Sequence, residues 1–215
     1  MAGTTQLQVY NNALLMLGER TLASLTENRE PRRVLDTIWG DNLIDNCLSQ
    51  GPWVFAIRSA QMVSDPGIDP LFGFNQAFAR PADMVMTTKV CSDEFFNTPI
   101  TQYVEENGIF YSFLQNLYLS YVSNDPAYGN NMVSWPGPFV EYISTYAAWK
   151  GAIRISGDKE KVLLMAKALK DARTNALNRN AMEGPTVFPA TGTWVDSRRG
   201  NSVRFDGGNR SSFYG

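Results

Sequence analysis

The sequence predicts an α+β protein: a four-helix bundle carrying a small inserted antiparallel β-domain and ending in an extended C-terminal arm. Three observations predict it. Apolar residues recur every three or four positions at both ends of the first 183 residues, the period of an amphipathic helix. Between them the period drops to two and turn residues multiply, as in short strands. After Gly184 both periods vanish into a stretch rich in Gly, Arg, Asn and Ser. The predicted organisation is a helical hairpin over 1–52, a β-domain over 53–133, a second helical hairpin over 134–183 and an arm over 184–215.

Leu7, Tyr10, Leu14 and Leu17 form one stripe of a first helix, which opens near Thr4 or Thr5 and stops at Gly18. A linker from Glu19 to Asn28 follows, anchored by Leu22 and Leu25. Asn28 is placed to cap a second helix and Pro31 falls in its first turn, where a missing amide costs little. Leu35, Trp39, Leu43 and Cys47 step by four along that helix, and Gly51-Pro52 ends it. An extended run begins at Trp53-Val54-Phe55-Ala56-Ile57, and a turn at Arg80-Pro81-Ala82-Asp83 precedes a strand from Met84 to Val90. Runs at Thr101–Glu105, Ile109–Phe113 and Leu117–Val122 read as a meander. Asn107-Gly108 closes its first hairpin, because both residues tolerate positive φ. Phe139, Tyr142, Tyr146, Trp149 and Ile153 then form the stripe of a third helix, with Ala147, Ala148, Gly151 and Ala152 permitting close approach. Ser156-Gly157-Asp158 breaks it and caps a fourth, whose buried stripe is Val162, Met165, Leu169, Ala172 and Ala176.

Composition narrows function. The chain has 215 residues and no histidine, so Ser-His-Asp, Cys-His and histidine-metal chemistry are excluded. Cys47 and Cys91 lie far apart and suggest neither a disulfide framework nor a zinc site. The start of the chain does not read as a signal peptide and no apolar run is long enough to span a bilayer, so synthesis in a cytoplasm without membrane association is expected. Neither a metal nor a cofactor is expected, nor catalysis. Net charge is −2, but Gly184–Gly215 holds four arginines and two aspartates and is net +2, which leaves −4 on the body.

Candidate chemical groups have plainer explanations. Asp93-Glu94 and Glu105-Glu106 are neighbours in sequence, so within a strand they point to opposite faces and cannot cooperate across a sugar. Asp36, Asp41 and Asp45 share a helical region, yet nothing completes a coordination sphere around them. Gly207-Gly208 lacks the lysine and helix of a phosphate loop. Lys159, Lys161, Lys167 and Lys170 are diluted by acidic neighbours and read as a solvated face. The arm resists such a reading. Trp194, Arg198, Arg199, Arg204, Phe205, Phe213 and Tyr214 belong to the residue types that dominate interface hot spots, and they mark a partner-binding segment.

The order of several features resembles a known family. Asn12-Ala13-Leu14-Leu15-Met16-Leu17-Gly18-Glu19 runs on through Leu22 and Leu25 to a helix containing Trp39. Gly51-Pro52-Trp53-Val54-Phe55-Ala56, the Arg80-Pro81-Ala82-Asp83-Met84 turn and the helix pair Phe139–Ile155 and Lys159–Met182 follow. From Gln6 to Met182 this resembles the tail tubular protein A family, the head-to-tail adaptors of short-tailed bacteriophages. The resemblance implies a ring of identical subunits, a dodecamer, at the head–tail junction of a virion, made in the host cytoplasm. The ring would sit between portal protein and tail nozzle protein, with helices as its wall. DNA would pass through it without sequence-specific binding, and the arm would reach the portal or a neighbouring subunit. Two other functions are compatible with the residues: a carbohydrate-binding or glycan-cleaving β-domain using Glu94, Glu105 and Glu106, and an RNA-binding protein using the arginine-rich arm.

Overall fold

Helix α1 (Gln6–Met16) starts at Thr5, whose hydroxyl accepts from the Gln8 amide at 3.3 Å, and ends against Gly18 at φ 72°. Its buried residues, Val9, Tyr10, Ala13 and Leu14, lie on one face as the sequence spacing requires. The structure, a computed structural model, describes residues 3–70 and 73–184. The seven candidate arm residues, Trp194 to Tyr214, and the arm itself beyond Gly184 lie outside the described residues.

A four-helix bundle is not what the helices form. There are five in the described residues, because the second helical region divides into α2 (Glu30–Gly40) and α3 (Leu43–Leu48). Asn42 between them adopts the left-handed conformation at φ 55°, which reorients the chain and ends one helix before the next begins. The start of α2 also differs by a residue: Arg29, not Asn28, occupies the cap position, and its side chain makes no capping bond. The last two helices are α4 (Gly137–Ser156) and α5 (Lys159–Glu183), joined through Gly157 at φ 67°.

Helix α4 is the hub. It packs against α1, α2, α3 and α5, and Phe139, Tyr142, Ile143, Ala147, Ala148 and Ala152 are all buried along it. In a symmetric bundle every helix would bury one stripe toward a shared axis; here one helix occupies the axis and is covered on several sides. Trp53 is its main partner from outside. The indole packs 4.9 Å from Phe139 and 6.0 Å from Tyr142 between ring centroids, and its N–H donates to the Cys47 carbonyl at 3.1 Å.

Six strands form two three-stranded antiparallel sheets: β1 (Ile57–Val63), β2 (Gln76–Ala79), β3 (Met84–Cys91), β4 (Tyr103–Glu106), β5 (Ile109–Ser112) and β6 (Asn116–Ser123). The first sheet has the order β1-β6-β3 and the second β2-β5-β4. The meander is therefore only half realised. Strands β4 and β5 do pair through Asn107 and Gly108, at φ 49° and 74°, but β6 crosses to the centre of the other sheet. Burial accompanies the crossing: Leu117, Leu119 and Tyr121 enter a core between the sheets while Val122 enters the helical core, so β6 lies covered on both faces. The run from Trp53 is likewise corrected, since Val54–Ala56 is a 3-10 turn and the strand begins at Ile57. Strand β2 was not expected, as four residues carry too short an alternation to register.

Up to Glu183 the chain is a single compact unit. Its helical core reaches the first sheet through Val122, Val85 and Met86, and the inter-sheet core holds Phe78, Phe110, Leu117 and Leu119. Gly129 makes the joint possible. Its amide donates to the Ser123 carbonyl at 3.1 Å, and an added Cβ would run into that same backbone oxygen.

Candidate functional site

Helix α5 is the least enclosed of the long elements, and its surroundings form the candidate site. Alternating strong helix formers (Leu, Ala, Lys, Glu, Arg) hold 25 residues in one helix. Only Met165, Ala172, Ala176 and Asn180 on it are buried, a stripe of mostly small side chains laid on α4. The stripe matches the expected one, with Val162 and Leu169 partly rather than fully covered.

Two polar bonds hold the ends. The Lys161 ammonium donates to the Leu17 carbonyl at 2.9 Å, placing a cation at the C-terminal end of α1, where the helix dipole favours it. At the other end the Asn180 amide donates to the Pro52 carbonyl at 2.8 Å, and its carbonyl accepts from the Val54 amide at 2.7 Å. That reciprocal pair fastens α5 to the turn containing Trp53.

A groove flanks α5 on each side. One, of about 570 Å³, runs between α4 and α5 beside Met16 of α1, and is lined by Glu141, Thr145, Asp171, Asn175 and Asn178. The other, of about 540 Å³, lies beside Gln50 and is lined by Tyr142, Tyr146, Trp149, Lys170 and Arg173. The Lys150 ammonium sits 5.5 Å from the Tyr146 ring centre, and Tyr146 meets Trp149 edge-on at 5.8 Å. Thr174 borders both grooves, so α5 is the ridge between them. Leu163 and Leu164 on the same helix are 73% and 61% exposed.

A second polar centre joins the strands. Asp83, in the predicted turn, accepts from Arg58 at 2.9 Å, from the Tyr121 hydroxyl at 3.2 Å and from the Ser123 hydroxyl. Burial pushes its carboxyl upward, but the hydrogen bonds from Ser123, Arg58 and Tyr121 outweigh that and hold it below the ordinary carboxylate range. Arg58 also lies 5.4 Å from the centre of the Tyr128 ring. Next to it, Asn124 donates its side-chain amide to both Asp45 oxygens at 3.2 Å and so ties β6 to α3. These groups hold structure rather than line a cleft.

The acidic candidates are placed as follows. Glu105 pairs with Arg80 at 3.1 Å and accepts from Thr87 at 3.4 Å, while Glu106 follows it in β4 and faces the opposite way. Glu94 is exposed between β3 and β4, where its neighbour Asp93 accepts from the Asn97 and Thr98 amides at 3.0 and 2.7 Å. Asp36 accepts from Tyr10 and Arg32, and Asp45 from Asn124, so those two are occupied separately. Among the described residues no three His, Cys, Asp or Glu side chains cluster as metal ligands. Both cysteines are buried and unbridged, and burial pushes the Cys47 thiol up to about 12, far from a reactive thiolate.

Sequence reasoning missed Asn180, the hub role of Asp83 and the opposite charges of the two groove linings. For Asn180 a signal existed, since an amide in register with the buried Ala172 and Ala176 must find partners. For Asp83 none did, because its donors sit 25 to 40 positions away. Comparison with protein-family models and with curated proteins finds no match to this chain.

Proposed function

We propose that the protein is a structural head-to-tail adaptor of a bacteriophage virion, a ring seated between portal and tail nozzle through which DNA passes. One observation carries this reading beyond the resemblance: a 25-residue helix buried along a single stripe, with two adjacent leucines and two open grooves turned outward. A long helix with that much uncovered apolar and groove surface suits a wall element awaiting a neighbour. The ring is dodecameric, with portal protein above, nozzle protein below and the arm reaching the portal or the next subunit. The charge is consistent with a conduit. A chain of net −2 does not grip phosphates through many cations, which would make passage strongly salt-dependent.

Negative-stain imaging of the purified protein, alone and mixed with portal-containing heads, tests this. Rings seated on the portal vertex are the expected result. Particles that neither form rings nor attach to heads would overturn it.

A further inference from the structure

The charges that line the two grooves beside α5 are sorted by sign. Glu141 and Asp171 line one groove, Lys170 and Arg173 the other, and Lys150 stands beside the second against Tyr146. Among the described residues none of these five side chains has an ionic partner. Elsewhere several charges are paired locally: Arg32 with Asp36, Arg58 with Asp83, Arg80 with Glu105 and Arg154 with Glu30. The charge that lines the grooves is thus segregated, acidic in one and cationic in the other, while Lys167, one turn before Asp171, lines neither.

Two further features fit one occupant. Both grooves are floored by the same helix pair, α4 and α5. Leu163 and Leu164, one to two turns before Lys167 and Lys170, are exposed at 73% and 61%, a cost for a lone subunit in water. An acidic partner would satisfy only the cationic flank and a basic one only the acidic flank. A second copy of this chain satisfies both in turn.

We propose that the two flanks of α5 are the two halves of one heterologous contact between copies, in which Lys170 and Arg173 of one subunit enter the Glu141–Asp171 groove of the next. Leu163 and Leu164 close between the subunits. A contact using different surfaces on its two sides propagates from copy to copy and closes into a ring when the rotation per step divides a full turn. This inference rests on the ring reading and names its lateral interface. Opposed charges also set the direction of stacking, since like flanks repel.

The experiment uses the full chain and two charge-reversed variants. Glu141→Lys with Asp171→Lys makes both flanks cationic; Lys170→Glu with Arg173→Glu makes both acidic. Sedimentation velocity and native mass spectrometry at rising protein concentration give the oligomer mass. The wild type is expected to assemble beyond a dimer, each variant alone to remain monomeric, and an equimolar mixture of the two to recover assembly. Recovery on mixing shows that both variants are folded and that the contact is between flanks. Variants that assemble alone like wild type overturn this interface and leave the ring reading standing. So does a mixture that fails to recover, whereas a wild type that stops at a dimer overturns the heterologous contact. A wild type that stays monomeric, alone and with portal-containing heads, overturns the ring reading and this interface with it.

Discussion

Asp83 shows how much one side chain does in this molecule. It gathers donors from β1, from two positions in β6 and, through its own carbonyl, the Asn124 amide at 2.9 Å. Asp83→Asn keeps the size but removes the charge that Arg58 pairs with and leaves one acceptor oxygen where there were two. The expected loss is about 1–2 kcal/mol in urea unfolding at neutral pH, since water reaches the Arg58–Asp83 pair and screens it. The pH dependence has a definite sign. Because the carboxyl is held below its ordinary value of 3.8, its contribution is fully present above that pH and fades as pH falls through the lower, folded-state value. The stability gap between wild type and Asp83→Asn should therefore narrow below about pH 4. A gap that stays constant through the acid limb would mean that the ionised carboxylate is not the stabilising group. The turn around Asp83 was legible in Arg80-Pro81-Ala82-Asp83; its role as a hub was not, because local spacing carries no record of a tyrosine 38 positions away.

At the scale of elements, the sequence pattern was most reliable where a backbone rule acts within a few residues. Gly18 and Gly157 end α1 and α4 in positive φ, and Asn107-Gly108 turns the β4–β5 hairpin. The second helix is the instructive exception. Leu35, Trp39, Leu43 and Cys47 keep a four-residue step, yet the helix breaks at Gly40-Asp41-Asn42, a run of poor helix formers. The apolar step persists across the break because Leu35, Leu43 and Cys47 serve the same core. Substitution at Asn42 separates the two descriptions by sign. With Asn42 at φ 55°, Asn42→Gly should be neutral or stabilising, and Asn42→Val should cost about 1–2 kcal/mol. In an unbroken helix Gly would instead be the worse residue there. Thermal unfolding of the two variants decides it.

The whole molecule up to Glu183 behaves as one unit built on two cores, and β6 and β3 serve both: Tyr121 and Met84 face the inter-sheet core, Val122 and Met86 the helical one. Leu119→Ala, fully buried between the sheets, should cost about 2–5 kcal/mol, and helical circular dichroism should lose its midpoint by the same amount as a sheet probe. A helical signal that kept the wild-type midpoint would show two independently stable halves. At this scale belongs assembly as well. The charges lining the two grooves beside α5 have no ionic partner among the described residues of the subunit, and the mixed-variant experiment asks whether they find one between subunits.

What the sequence determined by itself was whatever follows from contacts a few residues apart: the stripes of α1 and α5, the glycine stops, the Asn107-Gly108 hairpin, and the exclusion of histidine chemistry, whereas the expected α4 stripe failed at Ile153, which is exposed. The identity of α5's buried face followed too, since a 3.6-residue period needs no partner to be recognised. Only the tertiary structure decided that α4 is a central hub rather than one of four equals, that β6 leaves the meander for the other sheet, and that Glu141 meets Asp171 across a groove. Those choices depend on which apolar faces can be buried together and which charges end up side by side. Both are properties of residues brought close by folding, and no local spacing encodes them.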